Sequence, residues 1–147
     1  MAGLFYPAES GELRATVESY LAAAQFAGDS PKALIAPHAG YVYSGPVAGV
    51  AYAALAEARE TVRRVVLLGP AHRMALSGMA IPSATAFSTP LGEVLVDAEA
   101  VELAKEVPNV RVFDAPFEGE HSLEVQLPFL QVVLDDFRVL PVLVGQC

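Results

Sequence analysis

Apolar residues recur in the chain first at helical and then at strand spacing. From Ser10, which can cap a helix, Leu13, Val17, Tyr20, Leu21 and Ala24 fall three and four apart and predict an amphipathic helix with one packed face. Gly28-Asp29-Ser30-Pro31 breaks it, and residues 32–36 predict the first core strand. Pro46 suits the first turn of a second helix, with Val47, Val50, Ala51, Ala54, Leu55 and Ala58 turned inward. Residues 64–70 form a nearly unbroken apolar run, the signature of a parallel strand covered on both faces.

Short strands are expected around Met79-Ala80-Ile81 and Glu93-Val94-Leu95-Val96, flanking the turn-rich Ser88-Thr89-Pro90-Leu91-Gly92. Asp97 then caps a helix running to about Glu106, and a strand follows near Val110-Arg111-Val112-Phe113. His121-Ser122 opens the last helix, striped by Leu123, Leu127, Leu130 and Leu134. Pro128 within it predicts a kink or a 3₁₀ turn. A final apolar strand spans 137–144. The alternation predicts one α/β domain over residues 1–147, a mostly parallel sheet flanked by helices.

Composition sharpens this picture. Hydrophobic residues make up 54% of the 147 and charged residues 18%, against about a quarter in an average soluble domain. Mean hydropathy is +0.43. Either both sheet faces are covered or a large surface meets something else, and the expectation is a homo-oligomer or a complementary chain. The last strand ends abruptly, which suggests that the α/β unit continues in further polypeptide. No apolar run approaches the roughly 18 residues of a membrane span, and Met1 is not followed by a basic segment, so a cytoplasmic protein is expected. Nine Lys and Arg against seventeen Asp and Glu give a net charge of −8, which removes the electrostatic basis for nucleic-acid binding. The single cysteine, Cys147, cannot close an internal disulfide.

Three histidines carry the candidate chemistry. His38 lies in Pro37-His38-Ala39-Gly40-Tyr41-Val42-Tyr43-Ser44-Gly45, read as a loop at a strand end. His72 follows the 64–70 strand, and His121 opens a helix. Elements opening on one edge of a sheet can bring all three to one point, and imidazole suits iron, copper and zinc alike. Singly, each could be a loop histidine bonded to a nearby carbonyl; together they predict a shared site. Tyr41 and Tyr43 are candidate ligand contacts or packing residues. In Glu118-Gly119-Glu120-His121, a carboxylate from Glu118 or Glu120 could touch substrate or hold a ring nitrogen of His121. Gln126 and Glu124 read as helix-surface residues, Glu124 being able to turn inward.

Other chemistries lack their residues. There is no Gly-x-Ser-x-Gly elbow, no Gly-x-Gly-x-x-Gly and no Walker loop, so a serine hydrolase and a nucleotide-binding protein are poor fits.

The segments Pro37-His38-Ala39-Gly40-Tyr41-Val42-Tyr43-Ser44-Gly45, Leu68-Gly69-Pro70-Ala71-His72 and Glu120-His121-Ser122-Leu123-Glu124-Val125-Gln126-Leu127-Pro128 together resemble the Memo-like family, whose bacterial and archaeal members are called AmmeMemoRadiSam system protein B. Gly3-Leu4-Phe5-Tyr6-Pro7 and Leu140-Pro141-Val142-Leu143-Val144-Gly145 extend the likeness over the whole chain. The resemblance implies a fold like the class III extradiol, LigB-type dioxygenases, of which this chain is the N-terminal half. It implies a metal held by His38 and His72, with His121 beside it as acid/base or further ligand. It also implies a ligand from the second half, a cysteine in Memo proteins, which Cys147 does not match.

Three functions follow. One is a redox enzyme using Fe(II) or Cu on a small aromatic molecule. Another is a non-catalytic adaptor recognising a peptide at the same cleft. The third is a zinc-dependent hydrolase.

Overall fold

The computed structural model describes residues 1–26 and 28–146. Cys147 lies outside the described residues. The elements run α1 (Ser10–Ala23), α2 (Tyr41–Ala53), β1 (Arg64–Pro70), β2 (Met79–Ile81), β3 (Ala86–Thr89), β4 (Gly92–Leu95), α3 (Ala98–Ala104), β5 (Val110–Val112), α4 (Leu127–Val133) and β6 (Arg138–Val144), with 3₁₀ turns between several of them. The protein is α/β. Its main sheet has the order β1-β6-β2-β5, with β1–β6 and β2–β5 parallel and β2–β6 antiparallel, while β3 and β4 form a separate hairpin.

Helices cover the sheet from both sides. Along β6, Val139 joins the larger core with α1, α2 and α4, whereas Leu140 and Val142 turn the other way and meet Ile81 and Ala104 of α3. The larger core is built around Phe129, whose ring lies 5.1 Å from those of Tyr41 and Tyr52 and 6.4 Å from that of Tyr20. Its full burial stabilises the fold by about 3 kcal/mol in transfer terms alone.

Several elements differ from the sequence reading. Glu9, not Ser10, caps α1, its carboxylate accepting from the Glu12 N–H at 2.8 Å. Residues 32–36 run extended without a hydrogen-bonded strand neighbour among the described residues: Leu34 and Ala36 touch the core and Ile35 is 98% exposed. The alternation of a strand is there, but the partner is not.

The second helix begins at Tyr41, inside the 37–45 segment, so the second half of the expected loop is its opening turn. Gly40 is its N-cap, the Tyr41 N–H donates to the Phe5 carbonyl at 2.7 Å, and the Ser44 hydroxyl donates to the Ala39 carbonyl at 2.8 Å. Pro46 sits inside the helix on its exposed side, where the carbonyl it leaves free can meet water. The packed face is Tyr41, Ser44, Gly45, Ala48, Gly49 and Tyr52, and Val47 and Val50 face outward. Bulk misled the reading here, because the glycines are what let α1 approach. A Cβ on Gly45 would lie 2.3 Å from the Tyr20 ring, and one on Gly49 would lie 2.7 Å from the Tyr20 backbone oxygen.

The last helix starts later than expected: His121 and Ser122 lie outside it and α4 begins at Leu127, while Ser88 and Thr89, read as turn, pair with Glu93 and Gly92 as the end of β3. Asp97 caps α3, accepting from the Ala100 N–H, and a 3₁₀ turn at Glu124–Gln126 runs into α4 with Pro128 in its first turn, where no N–H is needed. Strand β1 is covered on one face only: Val65 and Leu67 pack on the core, while Val66 and Leu68 are 61% and 62% exposed at the free edge of the sheet. No helix among the described residues is long and apolar enough to cross a membrane.

Gly49→Ala should destabilise the protein by about 1–3 kcal/mol despite the better helix propensity of alanine, because the clash is with backbone that cannot rotate away. Val50→Ala, on the outer side of the same helix, should change stability by less than about 0.5 kcal/mol. Urea denaturation of the two variants beside the wild type reads both values.

Candidate metal site

The site lies where β1 ends. Residues 71 and 72 continue past Pro70, and the parallel pairing of β1 with β6 sets that end beside Val144. The segment preceding α4 crosses the same edge. The Ser122 hydroxyl donates to the Pro70 carbonyl at 2.8 Å, and Leu123 packs so close that a Cβ on Gly69 would fall 2.6 Å from its side chain. Gly69 is therefore the residue that lets the two segments touch, and His72 and His121 are carried on them.

Glu120 locks this junction. Its side chain is 2% exposed, and its two oxygens accept four hydrogen bonds: from the His72 backbone N–H at 2.6 Å, the His72 ring at 2.9 Å, the His121 N–H at 2.8 Å and the Ser122 N–H at 2.9 Å. Burial alone would raise its carboxyl; the bonds from the His72 ring and the three N–H groups outweigh that and pull it down to about 2. An ionised carboxylate only accepts, so Nδ1 of His72 carries a proton and Nε2 is the ring nitrogen turned away from Glu120. The sequence reading set a carboxylate against His121, but Glu120 bonds His72 and lies 3.6 Å from Nδ1 of His121.

The three imidazoles converge. Ring centroids are 4.9 Å apart for His72 and His121, 5.2 Å for His38 and His72, and 6.1 Å for His38 and His121. His72, Glu120 and His121 each bring one ligand atom within 4.8 Å of the others, a group that could hold a metal ion. The rings of His72 and His121 are stacked only 7° from parallel, whereas His38 is tilted 40° from His72. A metal binds in the plane of an imidazole along a nitrogen lone pair, so two stacked parallel rings cannot aim at one ion unless one turns. Tilted rings can.

His121 also stacks with Phe5, ring centroids 4.3 Å apart. Burial lowers its pKa below 6.5; Glu120 acts in the opposite sense, and His72, His38 and Arg73 add to the lowering. His38 is placed through its neighbour. The Pro37 carbonyl accepts from the Gln126 side-chain amide at 3.0 Å, and the Gln126 oxygen accepts from the Tyr52 hydroxyl at 2.8 Å. Gln126 is thus a buried strut, not the surface residue that its helical position suggested.

The other candidates fall elsewhere. Tyr41 is a core residue, its hydroxyl donating to the Val125 carbonyl at 2.8 Å and its phenol pushed up by burial. Tyr43 is 84% exposed on the outer side of α2, and Glu118 is exposed in the loop before Glu120. Glu124 accepts from the Tyr6 hydroxyl and lies 3.1 Å from the Met1 amine, which ties the N-terminal arm carrying Phe5 to the site. Phe5, Glu120 as a clamp on His72, and Gln126 were missed as site residues, since neither ring stacking nor a bond across 48 or 89 positions leaves a local pattern.

Glu120→Gln removes the charge and puts a donor among donors, with an expected loss of about 1.5–3 kcal/mol at neutral pH. The wild-type carboxyl titrates near 2 when folded and near 4.5 when unfolded, so its contribution is complete above pH 4.5 and is lost as pH falls toward 2. The stability gap between wild type and Glu120→Gln, followed by urea titration, should therefore narrow over that window.

A family model described as Memo-like protein matches residues 1–147. The chain is 42% identical to a MEMO1 family protein of Archaeoglobus fulgidus over 99% of its own length and 52% of the relative's. It is 37% identical to Protein MEMO1 of Danio rerio, covering 98% of the chain and 50% of the relative, and 39% identical to the memo-1 homolog of Caenorhabditis elegans, covering 98% and 41%. The chain spans about half the length of the curated relatives it matches. With matches of this extent joined to the histidine segments described above, the chain belongs to the Memo-like family.

Proposed function

We propose that this cleft holds one first-row metal ion, Fe(II) or Cu, through His38 and His72, and serves a non-haem oxidoreductase acting on a small aromatic molecule. The observation that carries this reading is the Glu120 bond to Nδ1 of His72, which turns Nε2 away from the carboxylate, with the His38 ring centred 5.2 Å from that of His72 and tilted 40° to it. The donor set suits the ion: imidazoles match borderline metals, and the buried carboxylate of Glu120 fixes the orientation of one of them. An iron or copper ion bound there would supply the redox chemistry.

The remaining residues act around it. His121 is neutral at pH 7 and can take a proton from a bound hydroxyl, its imidazolium then stabilised by Glu120 at 3.6 Å. Phe5 covers one face of that ring and limits water there. Zinc would fit the same donors, and the redox reading is preferred on the family resemblance.

Tag-free protein loaded anaerobically with Fe(II) or Cu(I) and assayed by elemental analysis should carry about one ion per chain. His38→Ala and His72→Ala should each weaken binding at least tenfold, while His121→Ala keeps it. Wild-type protein that stays metal-free overturns the reading. Oxygen uptake with catechol, lost in His121→Ala at retained metal content, would place His121 in proton transfer.

The same reading includes a partner surface. Val66 and Leu68 on the free edge of β1 leave large apolar side chains in water on the face turned away from the larger core, and parallel strands are ordinarily covered on both faces. We take this surface to be covered by a second copy or by the polypeptide that the longer relatives carry. Light scattering at micromolar concentration should show an oligomer of the chain alone, and Val66→Lys with Leu68→Lys should shift it to monomer.

A further inference from the structure

The charge around the histidines runs against that of the whole chain. The chain carries −8, yet beside Glu120 the permanently charged group acting on His121 is the cation Arg73. Glu120 already accepts four hydrogen bonds, and Glu124 is bound to Tyr6 and to the Met1 amine.

Arg73 follows His72 directly and is exposed. Its side chain lies along Gly119, with Nε 3.4 Å and Cζ 3.8 Å from where a Cβ on that residue would stand. Gly119 has φ of +67°, a conformation that suits glycine and that brings the loop before Glu120 and His121 under the guanidinium. Among the described residues Arg73 makes no ion pair, and Glu118, exposed next to Gly119, lies in none either. A guanidinium is a planar fork of donors that fits a carboxylate or phosphate with two parallel bonds.

We propose that Arg73 is a specificity-determining residue that binds the acid group, carboxylate or phosphate, of a small ligand whose other end faces His38, His72 and His121. The cleft thereby selects anionic ligands over neutral ones of the same shape. This deepens the metal-cleft reading and rests on it for where the ligand's far end lies.

Benzoate, its neutral isostere benzamide, and methyl phosphate are titrated by NMR into wild type, Arg73→Gln and Arg73→Lys, each metal-free and Fe(II)-loaded. Benzoate should bind the wild type at least about fivefold more tightly than benzamide, and the ratio should fall to about one in Arg73→Gln and be partly kept in Arg73→Lys, which retains the charge but not the fork. Benzamide affinity and metal stoichiometry should not change in either variant. The tighter of benzoate and methyl phosphate identifies the acid group. Equal affinities for benzoate and benzamide in the wild type, a ratio that survives Arg73→Gln, or no binding of either acid overturns the proposal. Metal content measured on the same samples separates the two ideas: an acid preference in protein that takes up no metal upholds Arg73 and sinks the metal reading, and normal uptake without the preference does the reverse.

Discussion

One buried carboxylate holds the candidate site together. Glu120 joins the end of β1 to the start of the segment leading into α4, accepting from both sides at once, so neither segment can shift without breaking charge-assisted bonds in a place that water does not reach. Two consequences come from the same bonds. The junction is stable because four donors share one charge, and His72 is held with Nδ1 on the carboxylate and Nε2 away from it. Structural and chemical roles are therefore inseparable in this residue, and its full set of bonds argues that it supports a ligand instead of serving as one.

The second support comes from the core. Phe129 and the tyrosines around it pack α1, α2 and α4 into one body, and Tyr52 extends from that body through Gln126 to the carbonyl of Pro37, next to His38. His38 is thus placed by packing transmitted through two hydrogen bonds, His72 by strand pairing and Glu120, and His121 by the Ser122 contact to Pro70 and by Phe5. The close approaches that allow this are made at glycines. Without Gly69 the two histidine-bearing segments would stand apart, and without Gly45 and Gly49 the helix that starts beside His38 would not reach Tyr20.

Much of the fold was legible because its signals are local. The apolar run of β1, the Asp97 cap and the Pro128 turn each announce themselves within a few residues. The α2 face was misread because the glycines that make its contact carry no hydrophobic signal, while exposed valines do. Residues 32–36 were read as a sheet strand from composition, and composition cannot report whether a neighbour exists to pair with. At the site, three scarce histidines near strand and helix ends were visible as a group. The direction of the Glu120 bond, the burial of Gln126 and the stacking of Phe5 were not, since each depends on residues far apart in the chain meeting at one edge.

Ring orientation assigns the three histidines different work. Imidazoles stacked in parallel share faces, and a face offers no lone pair, so His72 and His121 close on one ion only if one ring turns. His38, tilted to both, can pair with either. Glu120 breaks that tie: the closer contact goes to His72, whose Nδ1 it holds at 2.9 Å, while His121 lies 3.6 Å from the carboxylate, stacks on Phe5 and has its pKa lowered, chiefly by burial. A site with three chemically equal histidines is in this way made asymmetric by a single acid and a single aromatic ring.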